Sequence, residues 1–292
     1  MEQEKIRKYK QRSQWQEVWR RLKTNKGAIL GAIFVLILIF CMLFADQLYD
    51  YDTQIVKQNI SQRLLDPSWE HPFGTDEYGR DLFARLVYGT KASLPIGFVA
   101  VLFAMVFGIL FGSIAGYYGG AVDNVIMRCI DILRGVPSVL LAIAIVAILG
   151  EGTKSLMIAV GVSNIAIFAR IVRAAVLTVR NSEFIESARA IGKNSFEIIF
   201  QHVLPNCLSP IIVQASLRIG QSIILAAGLS YLGLGVQPPT PEWGSLLSAG
   251  RTYMRDHSNL TVFPGLVIML SVISFNLIGD GLRDSMDPKL RK

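Results

Sequence analysis

Residues 92–118 read ASLPIGFVAVLFAMVFGILFGSIAGYY, 27 positions without a charged side chain. A helix needs about 20 apolar residues to cross the hydrocarbon of a bilayer, so this stretch reads as a membrane span and decides the class. Working outward, 27–45 and 260–279 are uncharged over 19 and 20 residues. The whole chain is 52% apolar and 17% charged, with mean hydropathy +0.43, whereas an average soluble domain carries about 25% charged residues. A water-soluble enzyme, a disordered chain and a secreted disulfide scaffold are all excluded. Cys41, Cys129 and Cys207 have no metal-binding spacing and lie in or near apolar segments, which reads as small buried residues.

Three further spans are interrupted. One, at 132–150, carries Arg134 and Pro137 near its start. Another, at 155–169, is followed by Arg170 and Arg173. The third, at 208–236, has Arg218 in its middle. Six spans put both termini on one side. With the N-terminus cytoplasmic, 20 of the 29 basic residues fall inside and 8 outside, as the positive-inside rule requires. The net charge of +7 thus reads as topology, and no nucleic-acid partner is expected. The 26-residue charged leader is too long for a cleaved signal peptide. Its Trp15, Val18, Trp19 and Leu22 suit either a helix lying on the cytoplasmic interface or a plain solvated tail. The expected organisation is a cytoplasmic amphipathic segment 1–26, a first span 27–45, an outer segment 46–91, a five-helix core 92–280 and a cytoplasmic tail 281–292. The outer segment holds 8 acids against 5 bases. Its Asp76, Arg80 and Asp81 read as turn chemistry with exposed ion pairs.

No P-loop, HExxH or nucleophile elbow is present. His71, His202 and His257 fall on different sides of the membrane. Neither a catalytic nor a metal site is expected. The informative segment is 181-NSEFIESARAIGKNSFEIIFQHVLPN-206, on the cytoplasmic side. Phe184, Ala188 and Ile191 recur at helical spacing. Asn181 or Ser182 can cap a first helix that Gly192 ends. Asn194 with Glu197 has capping-box spacing for a second, and Pro205 and Pro210 mark the start of the next span. An apolar face on two short helices must be buried, either under the protein's own spans or against a soluble partner.

Here the sequence resembles a known family. Glu186-Ser187-Ala188, then Gly192, then Leu204-Pro205 is similar to the EAA loop of bacterial ATP-binding-cassette importer permeases. Two longer strings, His71-Pro-Phe-Gly-Thr-Asp-Glu-Tyr-Gly-Arg-Asp81 and Leu229-Ser-Tyr-Leu-Gly-Leu-Gly-Val-Gln-Pro-Pro-Thr-Pro-Glu-Trp-Gly244, resemble the C-type permease subunits of dipeptide, oligopeptide and nickel importers. The likeness covers essentially the whole chain. It implies an all-α integral membrane protein of six transmembrane helices with the type I importer permease fold. It also implies a coupling helix at 181–206 that seats on an ATPase, with Glu186 at the contact and Gly192 at the turn. The partners implied are a second permease, two ATPase subunits carrying ATP and magnesium, and an extracellular or periplasmic binding protein. The setting is a bacterial inner membrane. Ser187 and His202 depart mildly from the pattern; Ala226 stands where many relatives are acidic, and Arg218 where a small residue is usual.

Arg218 lies about ten residues, roughly 15 Å, into its span. An arginine at mid-bilayer costs about 2.5–3.5 kcal/mol, so it must face a water-filled path or a partner subunit. Attraction of a peptide carboxylate and a packing contact to a carbonyl or second permease both answer that need. Gln214, Gln221, Asn164 and Asn276 are further candidates for the path. Pro95, Gly161, Gly220, Gly228 and Pro264 fit helices that bend or repack. The competing functions are a nickel or metal-chelate permease of the same fold, an ATP-independent carrier and a membrane scaffold.

Overall fold

The computed structural model describes residues 14–286; the expectations for 1–13 and 287–292 lie outside the described residues. Their regular structure is helical, apart from one isolated bridge between Thr75 and Asp81. α1 (Gln14–Leu22) precedes α2 (Lys26–Leu48), which Asn25 caps by accepting from the Ala28 N–H. α2 buries only Ala28, Gly31, Val35, Leu38 and Ala45, against α11 and α3. Its other side chains, such as Leu30 and Leu36, stay exposed, as a lipid-facing helix would leave them.

α3 (Leu82–Tyr118) starts ten positions before the apolar run. Asp81 caps it, accepting from the Ala84 N–H at 2.7 Å. The extension is possible because its charges are paired. Arg85 Nη1 donates to Ile55 O at 2.7 Å, and Lys91 Nζ meets Asp46 at 2.6 Å. Helix α3 therefore takes in the last ten residues of the expected outer segment, and the Asp76 ion pairs expected to be exposed are buried. Asp76, Arg80 and Arg85 are all buried. One Asp76 oxygen accepts from Arg80 Nε at 2.7 Å and the other from the backbone N–H of Tyr78 and Arg80. A buried carboxylate so saturated holds the loop to the start of α3.

The third crossing is a broken one. α4 (Gly120–Gly135) and α5 (Ser138–Leu149) meet at 88°. The expected single run from 132 fails at Val136, whose backbone is extended because the following proline disfavours a helical residue before it. Twelve residues of α5 span about 18 Å. α6 (Thr153–Val179) continues ten residues beyond the expected end at 169. Arg173 there clasps Asp123 with two bonds of 2.6 and 2.5 Å, and Arg170 pairs with Asp131, so the basic stretch after the apolar run stays helical by binding α4.

α3 and α6 form the most intimate helix pair. Gly108, Gly112 and Gly116 repeat every four residues along α3, and a Cβ on them would lie 2.3 Å from Phe168, 2.4 Å from the Ala169 carbonyl and 2.9 Å from Val176. Small residues at this spacing let membrane helices approach backbone to backbone. Two of the expected break points are also packed: a Cβ at Gly161 would meet Phe103 at 2.8 Å and one at Gly220 would meet Val272 at 3.3 Å, whereas one at Gly228 would meet nothing within 4 Å. Pro95 and Pro264 lie inside unbroken helices.

α7 (Glu183–Ala190) and α8 (Ser195–Ile198) form an elbow after α6. α9 (Leu204–Tyr231) follows without a gap through a π-turn at Ile199–Val203, so 195–231 is one 37-residue helix. It ends at Tyr231 rather than 236, because Gly233 turns at φ +85° and Leu234 bonds back to Leu229 O. α10 (Trp243–Gly250) and α11 (Asn259–Met286) complete the chain. The short α10 is a plug. Trp243 is fully buried and donates to Leu86 O at 3.1 Å, while Glu242 caps the helix and accepts from Ser93 at 3.0 Å. Among the described residues five helices are long and apolar enough to cross a membrane, or six spans if the bent α4–α5 pair is one.

Candidate functional site

Two places gather the residues that the sequence singled out. The first is the elbow. Ser182 is the N-cap of α7, although its hydroxyl donates back to Val179 O instead of accepting from the helix. Gly192 ends α7 at φ +84°. Its N–H donates to Arg189 O, and the Lys193 N–H reaches Ala188 O, the paired bonds of a Schellman motif. No neighbour lies within 4 Å of a Cβ at Gly192, so only the backbone angle demands glycine there. α8 begins with a complete Asn194–Glu197 capping box. His202 accepts from Lys193 Nζ at 2.9 Å, which ties the turn to the π-segment.

The buried face of the elbow differs from the 184/188/191 stripe. Ile185 and Ala188, with Ile198, Ile199 and Val203, pack on Tyr117, Val172 and Val176. Arg189 adds a bond to the Tyr117 hydroxyl and lies over its ring, and Arg180 caps α3 at Gly116 O. Phe184, Ile191, Phe196 and Phe200 stay exposed at 45%, 75%, 68% and 49%, with the Phe196 and Phe200 rings 4.4 Å apart. The elbow thus has two apolar faces, one pinned inward and one open. Glu186, Ser187 and Gly192 are on the open side, Ala188 is buried, and Leu204 and Pro205 start the α9 segment directly after the π-turn. In that turn the Leu204 N–H bonds five residues back, to Ile199 O. The widened turn comes immediately before a proline that has no N–H to offer. Phe196 of α8 and Phe200 of the π-turn were not among the sequence candidates, although their four-residue spacing is visible there.

The second place is a cavity of about 470 Å³ between α5, α6 and α9, lined by Arg218, Gln221, Asn164, Ser138 and Ser163 among others. Three of the five path candidates therefore converge. Gln214 lies one turn earlier on the same face of α9 and lines a separate cavity with Arg283 and Ile171. Asn276, half-buried on α11, belongs to neither cavity. Asn164 is committed to Val160 O and Ser222 Oγ, whereas the Arg218 Nε is buried with no hydrogen-bond partner. Ala226 faces away, into an apolar cluster with Ala92, Ile96 and Leu156, so its departure from the family pattern does not alter the cavity.

A bent set of membrane helices, an elbow with an open apolar face and a largely apolar cavity that holds Arg218 are the features to be matched with known proteins. Comparison with known proteins gives the family. Residues 108–292 match the family described as binding-protein-dependent transport system inner membrane component, and 13–67 match the N-terminal transmembrane domain of oligopeptide transport permease C. A dipeptide transport system permease protein of Alkalihalophilus pseudofirmus is 50% identical over 96% of this chain and 91% of its own. A glutathione transport system permease protein of Pectobacterium atrosepticum is 45% identical over 98% of this chain and 95% of its own. An inward-facing methionine ABC transporter structure superposes with TM-score 0.57 at 19% identity, over 70% of this chain and 98% of that one. The chain belongs to the binding-protein-dependent permease family, the multi-pass membrane components of ATP-binding-cassette importers.

Proposed function

We propose that the chain is one of two permease subunits of an importer for di- or oligopeptides in a bacterial inner membrane, with the elbow as its coupling element. The observation that carries this reading is the division of the elbow's apolar residues. Five are locked under α3 and α6, while Phe184, Ile191, Phe196 and Phe200 are left bare beside Glu186. A cluster of exposed aromatic side chains on a rigid support marks a docking surface, and an ATPase subunit is the partner that the family supplies. The concentration of Lys and Arg around the elbow and the termini supports a cytoplasmic position for this face. The chain carries no nucleotide motif; ATP and magnesium would sit on two ATPase subunits, and a binding protein would deliver cargo to the face bearing α10. ATP binding then favours one arrangement of the paired permeases and the loaded binding protein recognises it, each ligand acting through its preference for that state. The kinship with dipeptide permeases supports peptide cargo.

The test uses the complete transporter in its native membrane. Glu186→Lys and Gly192→Pro are each expected to abolish ATP-coupled peptide uptake while the chain still inserts and assembles with a second permease. Normal uptake by both variants would sink the coupling role. Recovery of this chain without any P-loop ATPase, from extracts in which other complexes survive, would sink the importer assembly.

A further inference from the structure

Arg218 is a half-buried charge within α9 with no ion pair or hydrogen bond among the described residues. It stands on α9 at the wall of the α5–α6–α9 cavity, among Ser138, Ser163, Asn164, Gln221 and apolar neighbours, and no Asp or Glu lines that cavity. It takes part in none of the ion pairs found among the described residues, and its Nε is buried without a hydrogen-bond partner. Arg85 and Arg170 also leave an Nε unpartnered, but other nitrogens of theirs bond a carbonyl or a carboxylate, and Arg173 clasps a carboxylate. A guanidinium does not shed its proton in a protein, so the charge persists and must be met from outside the chain. The polar groups nearby do not meet it. Asn164 spends its amide on Val160 and Ser222, and the Ser163 hydroxyl donates to Ala159 O. α5 starts at another wall of the cavity, after Pro137, with no side-chain cap, so that end adds further donors instead of acceptors.

We propose that this cavity is a carboxylate station on the cargo path. A passing peptide presents its C-terminal carboxylate to Arg218, whose N–H groups take both oxygens in the fork geometry that guanidinium and carboxylate share, with Gln221 at the exposed rim. The proposal rests on the importer reading above and adds a chemical preference that belongs to the permease, separate from that of the binding protein. It also requires the attraction to be temporary. The cavity is open on one side, and its apolar lining by Ile224, Leu225 and Leu232 gives the rest of a peptide little to hold.

The experiment reconstitutes the full transporter with its ATPases and binding protein in proteoliposomes. It measures ATP-driven uptake of one dipeptide and of the same dipeptide with its C-terminus amidated, for the parent, Arg218→Lys and Arg218→Gln. Any selection by the binding protein is common to all three, so it cancels when carboxylate-over-amide ratios are compared. The expected result is that Arg218→Gln lowers the ratio about tenfold, the equivalent of one charge-assisted hydrogen bond, while Arg218→Lys keeps most of it. A ratio unchanged in Arg218→Gln overturns the station, whether or not absolute uptake falls. An equal fall for both peptides is what a counter-charge on the second permease would produce. Failure of the parent to take up either peptide, with ATP hydrolysis intact, removes the peptide reading and the station together.

Discussion

The seam between α3 and α6 and the α9 wall of the cavity are both glycine-bearing stretches of long apolar helix, yet they are built for opposite ends. Along the seam, Gly108, Gly112 and Gly116 let two backbones touch, and every arginine at its lower end has a partner: Arg170 on Asp131, Arg173 on Asp123 and Arg180 on Gly116 O. Along α9, a Cβ on Gly228 would meet nothing within 4 Å, Gln221 and Ile224 are exposed, and Arg218 is unmatched. The chain completes its own chemistry on one side and leaves it open on the other. A subunit that must hold its shape while sharing a path with a second subunit needs both conditions.

Four substitutions test that contrast, in descending order of effect on stability. Gly112→Val would push a side chain into the Ala169 carbonyl and Val172; overpacking of this kind is expected to cost about 3 kcal/mol, read from unfolding of the purified chain in detergent. A cost near zero would mean that the seam opens easily. Asp123→Asn removes the bidentate partner of Arg173. With the arginine about a third exposed, the expected loss is about 1–2 kcal/mol, and the swap Asp123→Arg with Arg173→Asp should recover part of it. Phe196→Ser with Phe200→Ser should leave stability within about 0.5 kcal/mol because both rings are already exposed, yet reduce uptake at least as strongly as Gly192→Pro. Gly228→Leu should also be neutral for stability to about 0.5 kcal/mol and slow uptake by narrowing the cavity. Marked destabilisation by Gly228→Leu would show that the α9 wall is packed like the seam.

The apolar runs placed the five long helices, because hydrophobic length is a local property of the chain, but not the bent α4–α5 pair. Helix ends were not legible in the same way. Arg85, Arg170 and Arg173 look like the end of a membrane segment until their partners at Ile55, Asp131 and Asp123 are known, and those partners lie 30, 39 and 50 residues away. Asp76 and Arg80 pair locally, four residues apart, so their pairing could be read from the sequence but their burial could not. On the elbow, Gly192 and the Asn194–Glu197 box are local signals and could be read directly. The inward face was not, since in a helix of eight residues the 184/188/191 and 185/188 stripes are almost equally apolar. The glycine repeat at 108, 112 and 116 stood in plain view at a four-residue period. Glycine in a span can be a hinge or a contact, and only the approach of Phe168, Ala169 and Val176 makes it a contact in α3.

The π-turn at Ile199–Val203 makes chain length itself a functional variable. Since α8 and α9 share one helical axis, the direction in which Phe196 points is fixed relative to Arg218 by the number of residues between them. The widened turn absorbs its extra residue, so a deletion within it can be taken up by a return to α-helical winding. A residue removed from the ordinary winding elsewhere between the two points would turn Phe196 by about 100° around the axis relative to Arg218. Members of this family should therefore tolerate substitution between these two points far better than insertion or deletion outside the widened turn, as gear teeth tolerate wear but not a change in their count.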